Sequence, residues 1–235
     1  MSNRAGCVAA GHLAGLLAGL LIVLAAPGVA QASSVGAARA AACTASAGPY
    51  QKQVEKHLGL PVDGQQSTAD CEAIAAFQRE HGIEPADGTA DLHTYRAVMW
   101  QQALAEGGAI KGCPDTDGVV VCIDENRQVL WVEDAGRVAF EPVPARTGKP
   151  GYGTRTGWFE IFERVEEFWS DLYDGPMPFA QFFSGGQALH ASYRPIFEDP
   201  GSHGCVNLRY DDAKALWGKL KLGDEVYVWG TRTGD

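Results

Sequence analysis

From residue 49 to residue 102 the apolar positions recur at three- and four-residue steps: Val54 with Leu58, Ile74 with Phe77, then Leu92, Tyr95, Val98 and Met99. That period puts them on one face of a helix. Leu60-Pro61-Val62-Asp63-Gly64 and Ile83-Glu84-Pro85-Ala86-Asp87-Gly88 interrupt the pattern, so several short helices are expected, with each Asp-Gly supplying the positive-φ residue of a turn. Ser67 and Thr68 before one helix and Thr89 before the next have the chemistry of N-caps. A three-helix unit over residues 49–106 and a linker over 107–118, marked by Gly107-Gly108, Gly112 and Pro114, follow. The period then changes. Val119 to Ile123, Gln128 to Glu133, Val138 to Phe140, Trp158 to Phe162 and Val226 to Trp229 are runs of β-branched and aromatic residues and predict strands. Within residues 119–235 only Asp211 to Leu222 reads as a clear helix, with Ala215, Leu216 and Leu220 on its sheet-facing side and Gly223 placed to end it. One helix cannot supply the crossovers of a doubly wound parallel sheet, so this second domain is expected to be mainly β.

At the N-terminus, Arg4, the apolar run Leu13 to Ala26 and the small residues Ala30-Gln31-Ala32 have the layout of a secretory signal over residues 1–32, cut before Ser33. Residues 33–48 then read as a linker. The 14-residue run is shorter than the roughly 20 residues of a spanning helix, yet no Asp, Glu, Lys or Arg lies between Ala5 and Ala38. Retention as an anchor stays open, and membrane contact is expected only in that case. Otherwise the protein is expected to be secreted to the cell wall or the extracytoplasmic space.

An apolar fraction of 46% and a charged fraction of 20% fit a globular chain, and the formal charge of −10 removes the electrostatic footprint for nucleic acid. Loss of the signal takes away Cys7 and leaves five cysteines, an odd number in an oxidising compartment. Local pairing of Cys43 with Cys71 and of Cys113 with Cys122 leaves Cys205 alone, and an unpaired thiol is an oxidation liability that calls for a use.

That use is suggested by Ser202-His203-Gly204-Cys205-Val206-Asn207-Leu208-Arg209, where an imidazole stands two residues before the thiol, and by His190 at the end of the apolar run Ala188-Leu189-His190. Only a thiolate attacks well, and an imidazole can take the proton or stabilise the ion pair. Gly204 permits a tight turn and open amides for an oxyanion. Three rivals stand beside nucleophilic catalysis: a buried cysteine beside a structural histidine, a zinc site made of His190, His203 and Cys205, and a thioredoxin-like redox site, which would want a resolving cysteine close by that the sequence does not offer. No CxxC pair or HExxH helix supports metal, and no Gly-rich phosphate loop or EF-hand spacing supports a cofactor, so neither is expected.

Two resemblances sharpen these readings. Gly59, Asp63-Gly64, Phe77-Gln78, Gly82 and Asp87-Gly88 follow the order found in peptidoglycan-binding domains. Ser202 to Asn207 with the upstream His190, the stretch Thr147 to Ile161, and Met177-Pro178-Phe179 with Phe182 strongly resemble the L,D-transpeptidase (YkuD-type) catalytic domain. That resemblance implies an L,D-transpeptidase-like β-sandwich with one or two short helices. It implies Cys205 as nucleophile, His190 as general base or acid, His203 as an orienting group, and the amides of Gly204 and Cys205 as oxyanion donors. The partners would be peptidoglycan stem peptides and glycan, handled by a monomer without cofactor, and the activity would be cross-link formation through a thioester. Hydrolysis by the same cysteine, or a decayed wall-binding protein, remain the alternatives. Met177, Phe179, Phe182, Ser184, Tyr193, Ser202, Asn207 and Arg209 are the expected substrate-groove residues, with Arg209 alternatively paired to Asp211 or Asp212. Arg155 in place of the usual proline is expected to change only a turn, and Ala191 stands where glycine is common.

Overall fold

The computed structural model describes Cys43 and residues 46–234; the expected signal and most of the 33–48 linker lie outside the described residues. Among the described residues no helix is long and apolar enough to cross a membrane.

The helical period forms α1 (Gln51–Leu58), α2 (Thr68–Glu80) and α3 (Leu92–Glu106). Ser67 caps α2 in a reciprocal box with Asp70, whereas α3 is capped by Asp91, whose carboxylate accepts from Thr94 N at 2.8 Å, and not by Thr89. Asp is the stronger cap because its charged oxygen faces the free amides of the first turn. Phe77 lies in the helical core, and the buried amide of Gln78 ties Thr89 O and Thr94 Oγ1 to Gly88 N, which fixes the second Asp-Gly turn. Past a 3-10 turn at Gly107–Ala109, the expected linker is fastened to the sheet by Ile110, which is buried, and by a Cys113–Cys122 disulfide.

Among the described residues nine strands form two sheets. The first runs β3 (Arg137–Pro144), β2 (Val129–Asp134), β1 (Val119–Asp124), β9 (Glu225–Trp229), β4 (Gly157–Glu160); the second runs β5 (Glu163–Ser170), β6 (Gly175–Ser184), β7 (Gln187–Ala191), β8 (Val206–Leu208). The unbroken apolar run of β1 reflects burial on both faces. Val121 and Ile123 face the core between the sheets, while Val120 and Cys122 pack with Trp131, Trp229 and Ala103 of α3. Helix α4 (Tyr210–Lys219) covers the second sheet through Ala213 and Leu216, and Leu220 is its C-cap, so the helix stops short of the expected Leu222. Gly223, at φ +84°, turns the chain into β9.

The helical and β segments meet at the connection from β7 to β8. Ile196 and Phe197 of that connection belong to the same apolar cluster as Val54, Ile74 and Phe77. Asp199 accepts from Arg96 of α3 at 3.0 Å and from Arg232 at 2.6 Å, with His93 Nε2 3.3 Å away. Burial raises the Asp199 carboxyl, but the bonds from Arg232 and Arg96 outweigh it and hold the group at about 2.

Candidate active site

Strand β7 sets the site through its period of two. Leu189 and Ala191 enter the core between the sheets, and Ala188 and His190 therefore project from the opposite face, where Ala188 packs with Cys205, Met177 and Phe182. Strand β8 runs parallel to β7 with His190 opposite Asn207, so the thiol-bearing turn just before β8 arrives beside the imidazole. His190, His203 and Cys205 line one cavity of about 350 Å³.

The turn is built from within. Ser202 Oγ accepts from Gly204 N at 2.9 Å and donates to Cys205 O, and Thr154 Oγ1 donates to Gly204 O at 3.0 Å. Gly204 sits at φ +113°, and a Cβ there would lie 2.2 Å from the Gln187 amide. Glycine is thus required by backbone hand and by close approach. The expectation of an open Gly204 amide is not met, because that N–H is already given to Ser202. Residues 146–154 press against the same turn: Arg146 exchanges both backbone bonds with Asn207, and Gly148 bridges Ser202.

Cys205 is buried and reduced, and the other cysteines among the described residues form the bridges Cys43–Cys71 and Cys113–Cys122. Its S–H points to Gly186 O at 3.8 Å, and burial pushes its pKa up, against a backbone bond from Ala188. His190 Nδ1 lies 2.7 Å from Ala191 O. A carbonyl can only accept, so Nδ1 carries the proton and Nε2 keeps its lone pair. Burial lowers the His190 pKa to about 4, and nearby Arg146 adds to this, while the Ala191 bond opposes it. The resting pair is therefore neutral thiol and neutral imidazole, not thiolate and imidazolium. His203 is exposed, with Tyr173 stacked on it at 4.7 Å and the edge of Tyr152 at 4.5 Å.

Met177, Tyr193, Ser202 and Asn207 of the expected groove line the cavity. Four others do not. Phe179 adopts φ +58°, which takes its ring out of the strand's alternation and into the core against Tyr210 and Trp217. Phe182 packs in the cluster beneath the thiol. Ser184 is held by Arg155, whose Nη1 donates to its carbonyl at 2.6 Å and its hydroxyl at 3.0 Å, so Arg155 clamps the β6–β7 hairpin and does more than alter a turn. Arg209 pairs with Asp212 at 2.6 Å and lies 4.8 Å over the Trp100 ring of α3. Arg146, Lys149, Tyr173, Ser192 and Arg194 also line the cavity, and the sequence did not signal them as site residues. Arg146 arrives only through its pairing with Asn207, and nothing in its local sequence marks it.

A reduced thiol and a neutral imidazole thus share one cavity on the face of a two-sheet β fold. The family model of the YkuD L,D-transpeptidase catalytic domain matches residues 118–228. An L,D-transpeptidase from Stackebrandtia nassauensis is 39% identical, with 81% of this chain and 96% of that chain covered and a TM-score of 0.60. Further similar structures are an L,D-transpeptidase from Xylanimonas cellulosilytica (26% identity, 78% and 95% covered, TM-score 0.46) and one from Mycobacterium tuberculosis (20% identity, 48% and 58% covered, TM-score 0.44). No curated protein matches the sequence. The chain belongs to the L,D-transpeptidase family.

Proposed function

We propose that the protein is a secreted cell-wall L,D-transpeptidase in which Cys205 attacks the carbonyl of the third residue of a peptidoglycan tetrapeptide stem. The observation that carries this reading is the reduced Cys205 in one cavity with a neutral His190 whose Nδ1 is already committed to Ala191 O. Nε2 is the atom free to take the thiol proton as sulfur attacks. The imidazolium so formed then gives that proton to the leaving D-alanine nitrogen, the C–N bond breaks, and a thioester remains on Cys205. An amine of a second stem attacks the thioester, His190 takes its proton, and the thiolate leaves and is reprotonated. Positioned proton transfer of this kind contributes roughly 10²–10⁴ in rate. His203 acts as a support for the cavity mouth through its clasp by Tyr152 and Tyr173. The helical segment keeps its peptidoglycan-binding reading as part of the proposal, but Phe77 and Gln78 serve its core, so glycan contact would fall to exposed side chains.

Intact-protein mass spectrometry after exposure to a carbapenem, followed by product analysis with tetrapeptide stems, tests the proposal. A single adduct on Cys205 and cross-linked dimers are expected. No adduct would overturn the nucleophile, and monomeric tripeptide as the only product would replace transfer by hydrolysis.

A further inference from the structure

The cavity that holds Cys205 is cationic in an acidic chain. Arg146, Lys149 and Arg194 line it and no aspartate or glutamate does, although the chain carries a formal charge of −10. A concave wall of one sign concentrates ligands of the other. Arg146 is the unusual member. Its side chain is 3% exposed; Nη1 donates to Pro195 O and Nη2 to Ser192 Oγ, both neutral acceptors, and Nε has no partner. Buried guanidinium groups ordinarily meet a carboxylate. Here no acid hydrogen-bonds it: Glu198 lies 4.0 Å from Arg194, and Asp199 is held by Arg96 and Arg232. Burial, with Arg194 and Arg232 nearby, lowers Arg146 to about 10, and Glu198 and Asp199 offset only part of this. Across the backbone bridge, Asn207 is 8% exposed and its Oδ1 also lacks a partner. The wall thus carries a guanidinium hydrogen-bonded only to neutral acceptors and an amide oxygen without a partner, the complement of a carboxylate and a peptide N–H on one ligand.

We infer that Arg146, with Lys149 and Arg194 beside it, forms a carboxylate-binding subsite that reads the free C-terminal carboxylate of the donor stem, with Asn207 accepting from the scissile N–H. This rests on the acyl-transfer reading above. The residue that the attack expels carries both groups, its nitrogen at the broken bond and its carboxylate one carbon beyond. A donor with that terminus blocked or extended would meet the cationic wall without its charge. A side-chain carboxylate on the third residue has the same chemistry, and the test separates the two.

The Cys205→Ala protein is titrated calorimetrically with three tetrapeptides whose third residue bears a side-chain carboxylate: the free acid, the C-terminal carboxamide, and the side-chain carboxamide. C-terminal amidation should weaken binding by about 10–100-fold, side-chain amidation by less than about threefold. Arg146→Lys should lose most of the discrimination. Because Arg146 also holds Ser192 and Pro195, the double variant Lys149→Gln/Arg194→Gln serves as a second probe, and it should weaken the free acid but not the C-terminal carboxamide. Equal binding of all three peptides, or loss only on side-chain amidation, would overturn the subsite. If that happens while wild-type Cys205 is still acylated by a carbapenem, the acyl-transfer reading stands and the subsite alone fails. Absence of that adduct together with equal binding removes both.

Discussion

Burial raises the Cys205 thiol and lowers the His190 imidazole, so at neutral pH both are uncharged in the free protein. An ion-paired thiolate would react with iodoacetamide at a rate nearly flat across neutral pH. Here the rate should be low at pH 7 and climb until above pH 9, the ordinary thiol value from which Cys205 is raised; a plateau beginning below pH 7 would contradict the neutral pair. Gly204 makes a sharper demand. With φ at +113° and the Gln187 amide 2.2 Å from where a Cβ would stand, Gly204→Ala should cost more than the roughly 1–3 kcal/mol of backbone strain alone. Thermal denaturation read beside Cys205 alkylation rates would show whether the turn or only the stability is lost. The His-Gly-Cys spacing was legible as chemistry in the letters, whereas the commitment of the Gly204 amide to Ser202 was not, because that bond depends on how the turn closes.

The connection between β7 and β8 separates His190 from Cys205 in sequence, and the elements around it decide where its residues rest. Arg96 of α3 reaches Phe197 O, Asp199 Oδ1 and Thr233 O, while Arg146 reaches Ser192 and Pro195 from the other side. The helices are therefore part of the frame of the cavity, whose lining includes Pro200 and Gly201 of this connection. Asp199→Asn keeps the size but weakens both arginine bonds. We expect it to lower kcat/KM for tetrapeptide by about tenfold through misplacement of the cavity wall, with a small change in melting temperature. A kcat/KM equal to wild type would show that the clamp is only structural. The strand and helix periods were visible in the sequence, including the switch near residue 119. Strand β5, Glu163–Ser170, was not, because its Glu-rich, largely exposed pattern lacks an alternation strong enough to announce it.

Across the whole molecule, the two bridges close loops of 28 and 9 residues, and the chain-entropy account assigns them about 3–4 and about 2–3 kcal/mol. Reduction should lower the melting temperature, and Cys113→Ala/Cys122→Ala should loosen the 107–118 segment from β1, as hydrogen exchange would reveal. Acid should act in a defined window. His190 binds its proton near pH 6.5 when unfolded but only near 4 when folded, so its share of stability is complete above pH 6.5 and disappears as pH falls toward 4. His57, lowered by burial and by His81, works in the same direction, and Asp199 adds a further loss as pH falls from 3.8 toward 2. His190→Gln should flatten, without abolishing, the fall in melting temperature between pH 6.5 and 4; an unchanged slope would refute the buried neutral imidazole. By itself the sequence determined the helical-to-β order, the local cysteine pairings and the thiol left over, because periodicity, turn residues and cysteine count act over short stretches of chain. Tertiary structure alone decided that Arg146 shares a cavity with Cys205, that Phe179 turns into the core, and that α3 holds the loop between the two histidines. Those outcomes come from strand pairing and burial between residues far apart in the chain, where no local pattern records the partner.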